Sequence, residues 1–179
     1  MSDAVTVNQF IVQQLEGQYR TIKLATDDLS DEQLVYQPAV DANSIAWLIW
    51  HLSRWRDSVS AAVSGESQIW VRDEWAVRFG LSDVGTGLGD TIEQVAAFRV
   101  EREMLFGYLD AAHQATRQRV TQLTQAQLDQ VVVHPPETGR PAWQILAAMC
   151  GDSFQHAGQI AYLRGVITGH GWRERAGMS

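Results

Sequence analysis

Apolar residues fall into four long stretches of helical period, divided by polar, glycine-bearing or proline-bearing breaks. Over residues 5–27, Ile11, Leu15, Ile22 and Ala25 recur at helical spacing and Leu29 continues their stripe, which predicts a first helix. Ile45, Leu48, Leu52, Trp55, Val59 and Val63 predict a second over 45–64, opened by Ser44 as N-cap and stopped by Gly65. Ile92, Val95, Ala96, Phe106 and Leu109 predict a third over 92–115 with those residues facing inward. Ile145, Met149, Ile160, Leu163 and Ile167 predict a fourth over 141–168, with Pro141 in its first turn. Ser30–Gln33 and Thr124–Gln127 have the S/T-x-x-Q form of a capping box, so a short helical turn begins at each. LSDEQL followed by SIAWL echoes LTQAQL followed by RPAWQ, as expected of two helical pairs.

No strand-like alternation competes with these patterns. The predicted fold is all-α: a four-helix bundle with one long crossover, one domain over residues 1–179, and a flexible tail at 170–179. The crossover is residues 66–90, with four glycines, the aromatics Trp70, Trp75 and Phe79, and room for a short helix at 73–79. Long connections of this kind in compact domains are often functional.

Composition narrows the function classes. At 179 residues and 45% hydrophobic, the chain has material for one sizeable core. Its 21 acidic against 14 basic residues give a net charge of −7, without a Lys/Arg-dense run. That argues against nucleic acid or an anionic membrane as partner. The opening MSDAVTVNQF lacks the form of a signal peptide, and no apolar run has the length of a membrane span. A cytoplasmic location is therefore expected. Cys150 is the single cysteine, which leaves no intramolecular disulfide, and it reads as an inert core thiol. Seven tryptophans are core fillers or pocket walls.

The candidate chemistry lies on the fourth helix. Its apolar stripe passes through positions 152 and 156, which hold Asp152 and His156. Groups four residues apart are neighbours on a helix face. His51 lies on the stripe of the second helix, beside Leu48 and Trp55. A single histidine on such a stripe is more often a hydrogen-bonded core residue, and Asp152 could pair with Arg99. Together, His51, Asp152 and His156 offer the nitrogen and oxygen ligands that zinc and its neighbours accept, and a two-His, one-carboxylate set also suits non-haem iron. Three protein ligands leave an open position, as catalytic sites do.

Other residues have two readings. Arg99 and Arg102 would bind a carboxylate of a cofactor or substrate, or snorkel to solvent. Trp70, Trp75, Arg78 and Phe79 would form a lid over the metal, or pack the crossover. Arg164 is structural or faces the site. His113, His134 and His170 are expected at the surface, and Tyr162 and Trp143 in the core or an interface.

The segments SIAWLIWHLSRWRD, WAVRFGLSDVGTGLGDT and QHAGQIAYLRG resemble the DinB-like superfamily, near the branch of mycothiol-dependent maleylpyruvate isomerase and bacillithiol transferases. The resemblance covers nearly the whole chain. It implies a four-helix bundle holding zinc or nickel, ahead of iron, between helices. The family's first metal-binding histidine falls on His51 and its last on His156. Four residues before the latter many members carry His and the mycothiol branch Glu, where this chain has Asp152. The implied activity is metal-dependent, with a low-molecular-weight thiol used for S-transfer or isomerisation of a small-molecule substrate. The alternatives are a hydrolase using metal-bound water, with Glu103 as a conceivable base, and a non-catalytic metal-binding or stress protein. A homodimer through a helix face would use the surplus aromatics.

Overall fold

The structure is a computed structural model that describes residues 4–134 and 139–173. In chain order its helices are α1 (Val7–Thr26), α2 (Asp31–Leu34), α3 (Ile45–Ser64), α4 (Ile69–Arg72), α5 (Trp75–Phe79), α6 (Ile92–Ala97), α7 (Arg102–Gln122), α8 (Gln125–Asp129) and α9 (Ala142–Thr168). A minimal antiparallel pair, β1 (Val131–Val132) and β2 (Arg140–Pro141), precedes α9. No helix is long and apolar enough to cross a membrane, among the described residues.

The long helices α1, α3, α7 and α9 form the bundle and pack as a closed square: α3 on α7, α7 on α1, α1 on α9, α9 on α3. Two apolar clusters fix their directions. One joins Ile11 and Leu15 near the start of α1, Ile145 and Met149 near the start of α9, and Val59, Val63 and Val120 near the ends of α3 and α7. The other joins the opposite ends, from Ile22 and Ile160 to Leu48 and Leu105. Thus α1 and α9 run one way and α3 and α7 the other. Parallel neighbours α3 and α7 need a crossover, and residues 65–101 supply it.

Local chemistry sets the helix ends. Ser44 Oγ accepts the Trp47 amide at 3.2 Å, and Gly65 closes α3 in the left-handed conformation at φ 77°. Capping boxes open α2 and α8 at Ser30 and Thr124 as the sequence predicts. Pro141 lies just before α9 as its N-cap residue. The third predicted helix is interrupted. α6 ends at Ala97, Phe98 turns extended to lay its ring against Trp50, and α7 starts only at Arg102 and runs on to Gln122. Arg99 Nη1 donates to the Ala96 and Phe98 carbonyls at 2.9 and 2.7 Å, satisfying acceptors that the break sets free. Ile92, expected inward, is exposed, because the break leaves α6 only Val95 to bury.

α3 is buried on almost every side, which forces its polar residues to find partners inside. Asp57, fully buried, is the hub. Its carboxylate accepts the Ile69 and Trp70 amides at 3.0 and 2.9 Å, Arg119 Nη1 at 2.9 Å and the Tyr108 hydroxyl at 3.3 Å. Arg54, also fully buried, adds a 3.7 Å ion pair and donates to the Gly85 carbonyl at 3.0 Å. Arg56 donates to Ser153 and Gln18, linking α3 to α9 and α1; burial pushes its pKa down to about 10.

Two histidines expected at the surface are buried. His113 stacks on Tyr19 at 4.1 Å with Nε2 at 3.4 Å from Glu16, and His134 sets its edge to Trp55 and hydrogen-bonds Ser58 at 2.7 Å. An imidazole's flat apolar face packs like a small aromatic while its nitrogens reach polar partners, which a solvent-face reading overlooks. His170 is exposed as expected. Of the predicted tail, Trp172 packs partly buried on the core, and residues 174–179 lie outside the described residues.

Asp57→Ala should lose about 3–5 kcal/mol, because Arg119 and Arg54 are left buried without their carboxylate. Asp73→Ala, which breaks an Arg72 pair whose side chains are 52% and 42% exposed, should change stability by less than about 1 kcal/mol. Urea titration followed by circular dichroism measures both, and equal effects would refute the hub role.

Candidate metal centre

His51 comes from the second turn of α3, and Asp152 and His156 from consecutive turns in the middle of α9. α3 and α9 are packed neighbours, so the three side chains converge. One ligand atom from each lies within 4.8 Å of the others. His51 is buried and the other two are half-buried. The two imidazoles meet edge to face, with centroids 4.9 Å apart.

Both histidines are oriented by carbonyl-type oxygens. His51 Nδ1 lies 2.5 Å from the Thr86 carbonyl, and His156 Nδ1 2.7 Å from Gln159 Oε1. An oxygen acceptor requires Nδ1–H, so each neutral ring presents the Nε2 lone pair to the site. That is the tautomer a metal ligand needs, held by the outer partner usual for ligating histidines. His156 Nε2 stands 3.3 Å from Asp152 Oδ1. Two acceptors face each other there unless a proton or a cation lies between them. Asp152 Oδ2 is buried with no hydrogen-bond partner. A cation would satisfy both conditions, and the donor set of two nitrogens and a carboxylate suits zinc and its neighbours.

Burial lowers the pKa of His51, against the smaller opposing pull of the Thr86 carbonyl and of Asp152 and Asp90. Burial is also the largest influence on His156 and acts downward. The hydrogen bonds to Asp152 and Gln159 and the Asp152 charge together outweigh it, so its pKa is raised.

The crossover builds the wall behind His51 with residues that sequence reasoning passes over. Trp47 stacks on the His51 ring at 4.8 Å, nearly parallel, and its indole N–H donates to Asp90 at 3.0 Å. Gly87, at φ +89°, lies so close that a Cβ would stand 2.8 Å from both the Trp47 and Trp50 rings and 3.1 Å from His51 Nδ1. The glycine-rich run GTGLGD is the sequence signal for such an approach, but nothing in it says which ring the backbone meets.

The other candidates are engaged elsewhere. Arg99 caps α6, and Arg102 donates to the Leu29, Thr26 and Asp27 carbonyls, tying α7 to the end of α1. Trp70, Trp75 and Phe79 pack around Tyr108, and Arg78 lies over the Trp75 ring at 3.8 Å. They plug the crossover onto α7, whereas Thr86–Asp90 is the stretch that touches His51 and its Trp47 support. Arg164 pairs with Asp28 and the Ala25 carbonyl. Cys150 is buried, and burial raises its thiol pKa. Glu103 is exposed in a separate cleft with Lys23 and Phe106.

Gly87→Ala should displace the Thr86 carbonyl and shift His51 away from its Nδ1–H tautomer, read by imidazole nitrogen NMR. Gly89→Ala, equally strained at φ +85° but with nothing near its Cβ, should leave the tautomer unchanged. The same tautomer in wild type and Gly87→Ala would show that the loop does not set it.

The chain matches the family described as the DinB superfamily over residues 14–160, a span that contains all three converging side chains. No curated protein matches it significantly. The crystal structure of a conserved protein from Enterococcus faecalis superposes with a TM-score of 0.82 at 24% identity, covering 93% of this chain and 100% of that one. That likeness is one of fold. With the family match spanning most of its length, the chain belongs to the DinB superfamily.

Proposed function

We propose that the protein is a metal-dependent enzyme in which His51, Asp152 and His156 hold one divalent cation, zinc or nickel ahead of iron. The observation that carries this reading is the convergence itself: one ligand atom from each of His51, Asp152 and His156 within 4.8 Å of the others, with Asp152 Oδ2 buried and unpartnered. Tetrahedral ligands at zinc distances are about 3.4 Å apart, so the set closes by little more than a side-chain adjustment.

The reaction class rests on the resemblance of QHAGQIAYLRG and its companion segments to the thiol-using branch. A divalent cation with an open position supplies Lewis acidity, lowering the pKa of a thiol or water bound there. The chain's own residues supply the rest. Thr86 and Gln159 hold the imidazoles in register, Asp152 contributes the negative charge, and Trp47 keeps water from the inner face of His51. A groove of about 920 Å³ reaches Thr86, on the Nδ1 side of His51, and is not lined by His51, Asp152 or His156. S-transfer would form a bond from the thiol sulfur to an electrophilic carbon as the leaving group departs. The base that a hydrolytic reading would use, Glu103, lines a different cleft.

Purified without chelator, the protein should carry about one divalent metal per chain by elemental mass spectrometry. His51→Ala and His156→Ala should each lose it. No metal after reconstitution would overturn the proposal, and metal without thiol-dependent turnover of an electrophile such as monochlorobimane would leave a binding protein.

Metal affinity should also fall in mild acid. Bound histidine must be neutral, and the raised pKa of His156 means that protons compete from above the ordinary histidine value downward. Competition titration across neutral to mildly acid pH measures this; a flat profile would contradict it.

A further inference from the structure

Four arginines are buried among the described residues. Arg54 and Arg119 share the Asp57 carboxylate, and Arg164 pairs with Asp28. Arg56 differs. It is 1% exposed, and its hydrogen bonds go to neutral groups: Nε donates to Ser153 Oγ at 3.0 Å and Nη2 to Gln18 Oε1 at 2.8 Å. Nη1 is buried with no hydrogen-bond partner. An interior charge of this kind is costly unless another charge balances it.

The guanidinium is held in one place. Gln18, which accepts from Arg56, donates in turn to the Cys150 carbonyl at 3.3 Å. α1 and α3 thereby brace the charge against residues 150–153 of α9, and Asp152 lies inside that span. Asp152 Oδ2 is, like Arg56 Nη1, buried and unpartnered. Burial lowers the Arg56 pKa to about 10, against smaller opposing pulls from Cys150 and Asp152, so the group is charged at neutral pH. Burial raises the Cys150 thiol pKa, which keeps that group neutral and leaves Asp152 as the carboxylate that balances Arg56.

With both imidazoles neutral, Arg56 and Asp152 cancel each other in the chain alone. A divalent cation on the three ligands upsets that balance. Cation, carboxylate and guanidinium together carry two positive charges in a half-buried site. Asp90, hydrogen-bonded to the Trp47 N–H, offsets part of this from the crossover, with a smaller pull on His51 than that of Asp152. A neutral molecule at the open position leaves the excess in place, and an anion removes half of it.

We infer that Arg56 is a positioning residue whose fixed charge beside Asp152 makes the open position of the metal centre select an anionic donor over a neutral one. The inference rests on the metal reading and adds to it the charge of the ligand that the site takes. A unit charge roughly 10 Å away, at an effective dielectric of about 20, alters the binding constant of a monovalent ion about tenfold or more. The same charge opposes the cation, so its removal acts on cation and anion with opposite signs.

Titration of the cobalt(II)-loaded full chain with azide, followed by cobalt absorption at fixed ionic strength, tests it. Arg56→Met removes the charge at similar side-chain length. It should bind azide about tenfold more weakly than wild type and hold cobalt about tenfold more tightly. Structural damage would weaken both, so the opposite signs separate charge from damage. Arg56→Lys loses the guanidinium hydrogen bonds but keeps the charge, and should stay within about threefold of wild type in both measurements. If Arg56→Met folds poorly by circular dichroism, Arg56→Gln carries the same expectation. Equal azide affinity in wild type and the charge-free variant, or Arg56→Lys behaving like that variant, would overturn this inference and leave the metal reading standing. A wild type that takes up no cobalt would overturn the metal reading and this inference with it.

Discussion

The site depends on how a helix buried on almost all sides disposes of its charges. α3 places Asp57 and Arg54 where no water reaches them. Asp57 spends its carboxylate on the two amides that open α4 and on Arg119, so the crossover is fastened to α3 and α7 at its start. Arg54 reaches the Gly85 carbonyl further along. From there the backbone passes directly to Thr86 and Gly87, which touch His51. The ion cluster is thus two residues of loop away from the imidazole. A buried pair of this kind adds little net stability against apolar replacement. Its consequence here is positional: it fixes where a long glycine-rich connection can lie.

The same constraint shapes the electrostatics of the three converging groups. Thr86 belongs to the crossover and Gln159 to α9, and each turns one imidazole so that Nε2 faces inward. The two rings then differ in basicity for a geometric reason. His51, enclosed by Trp47 and the loop, has its pKa lowered by desolvation, while His156 stands beside a carboxylate and has its pKa raised. Without a cation the favoured compensation is a proton shared between His156 and Asp152, which still leaves Oδ2 unpartnered. A proton and a cation would compete for that one place.

How much of this was legible in the sequence follows from the range of the forces involved. Periodicity and capping read α1, α3 and α9 nearly to the residue, because apolar spacing and Ser44 or Gly65 act within a few positions. The spacing of Asp152 and His156 is equally local, and His51 joined them because its stripe had to face the core. The break at Phe98 has no local signal: it is set by a ring finding Trp50 across the bundle, not by a proline or glycine. His113 and His134 were misplaced for the same reason, since their partners Tyr19, Glu16 and Ser58 are distant in sequence. The crossover could be recognised as unusual, but the choice between its aromatic half and its glycine half depends on tertiary contact. The bulky half, Trp70 to Phe79, fills space around Tyr108, and the bare backbone of Gly87 is what fits against two indoles and an imidazole.

α9 carries two demands that conflict with a simple amphipathic pattern. Its inner stripe fills the bundle, and Asp152 and His156 sit at the edge of that stripe, half-buried between core and surface. A ligand pair needs that border: deeper, the carboxylate would be too costly to desolvate, and further out, water would compete for the open position. The charges a surface helix normally shows are therefore concentrated at the edge, and the exposed positions of α9 hold glycine, alanine, valine, glutamine and aromatic residues. Placing lysine or glutamate on that face near position 155 or 159 would set a mobile charge within reach of the three groups and perturb the balance between proton and cation. Keeping the outer face uncharged protects the electrostatics of the border, because an exposed charge within a Debye length of the three groups would act on them.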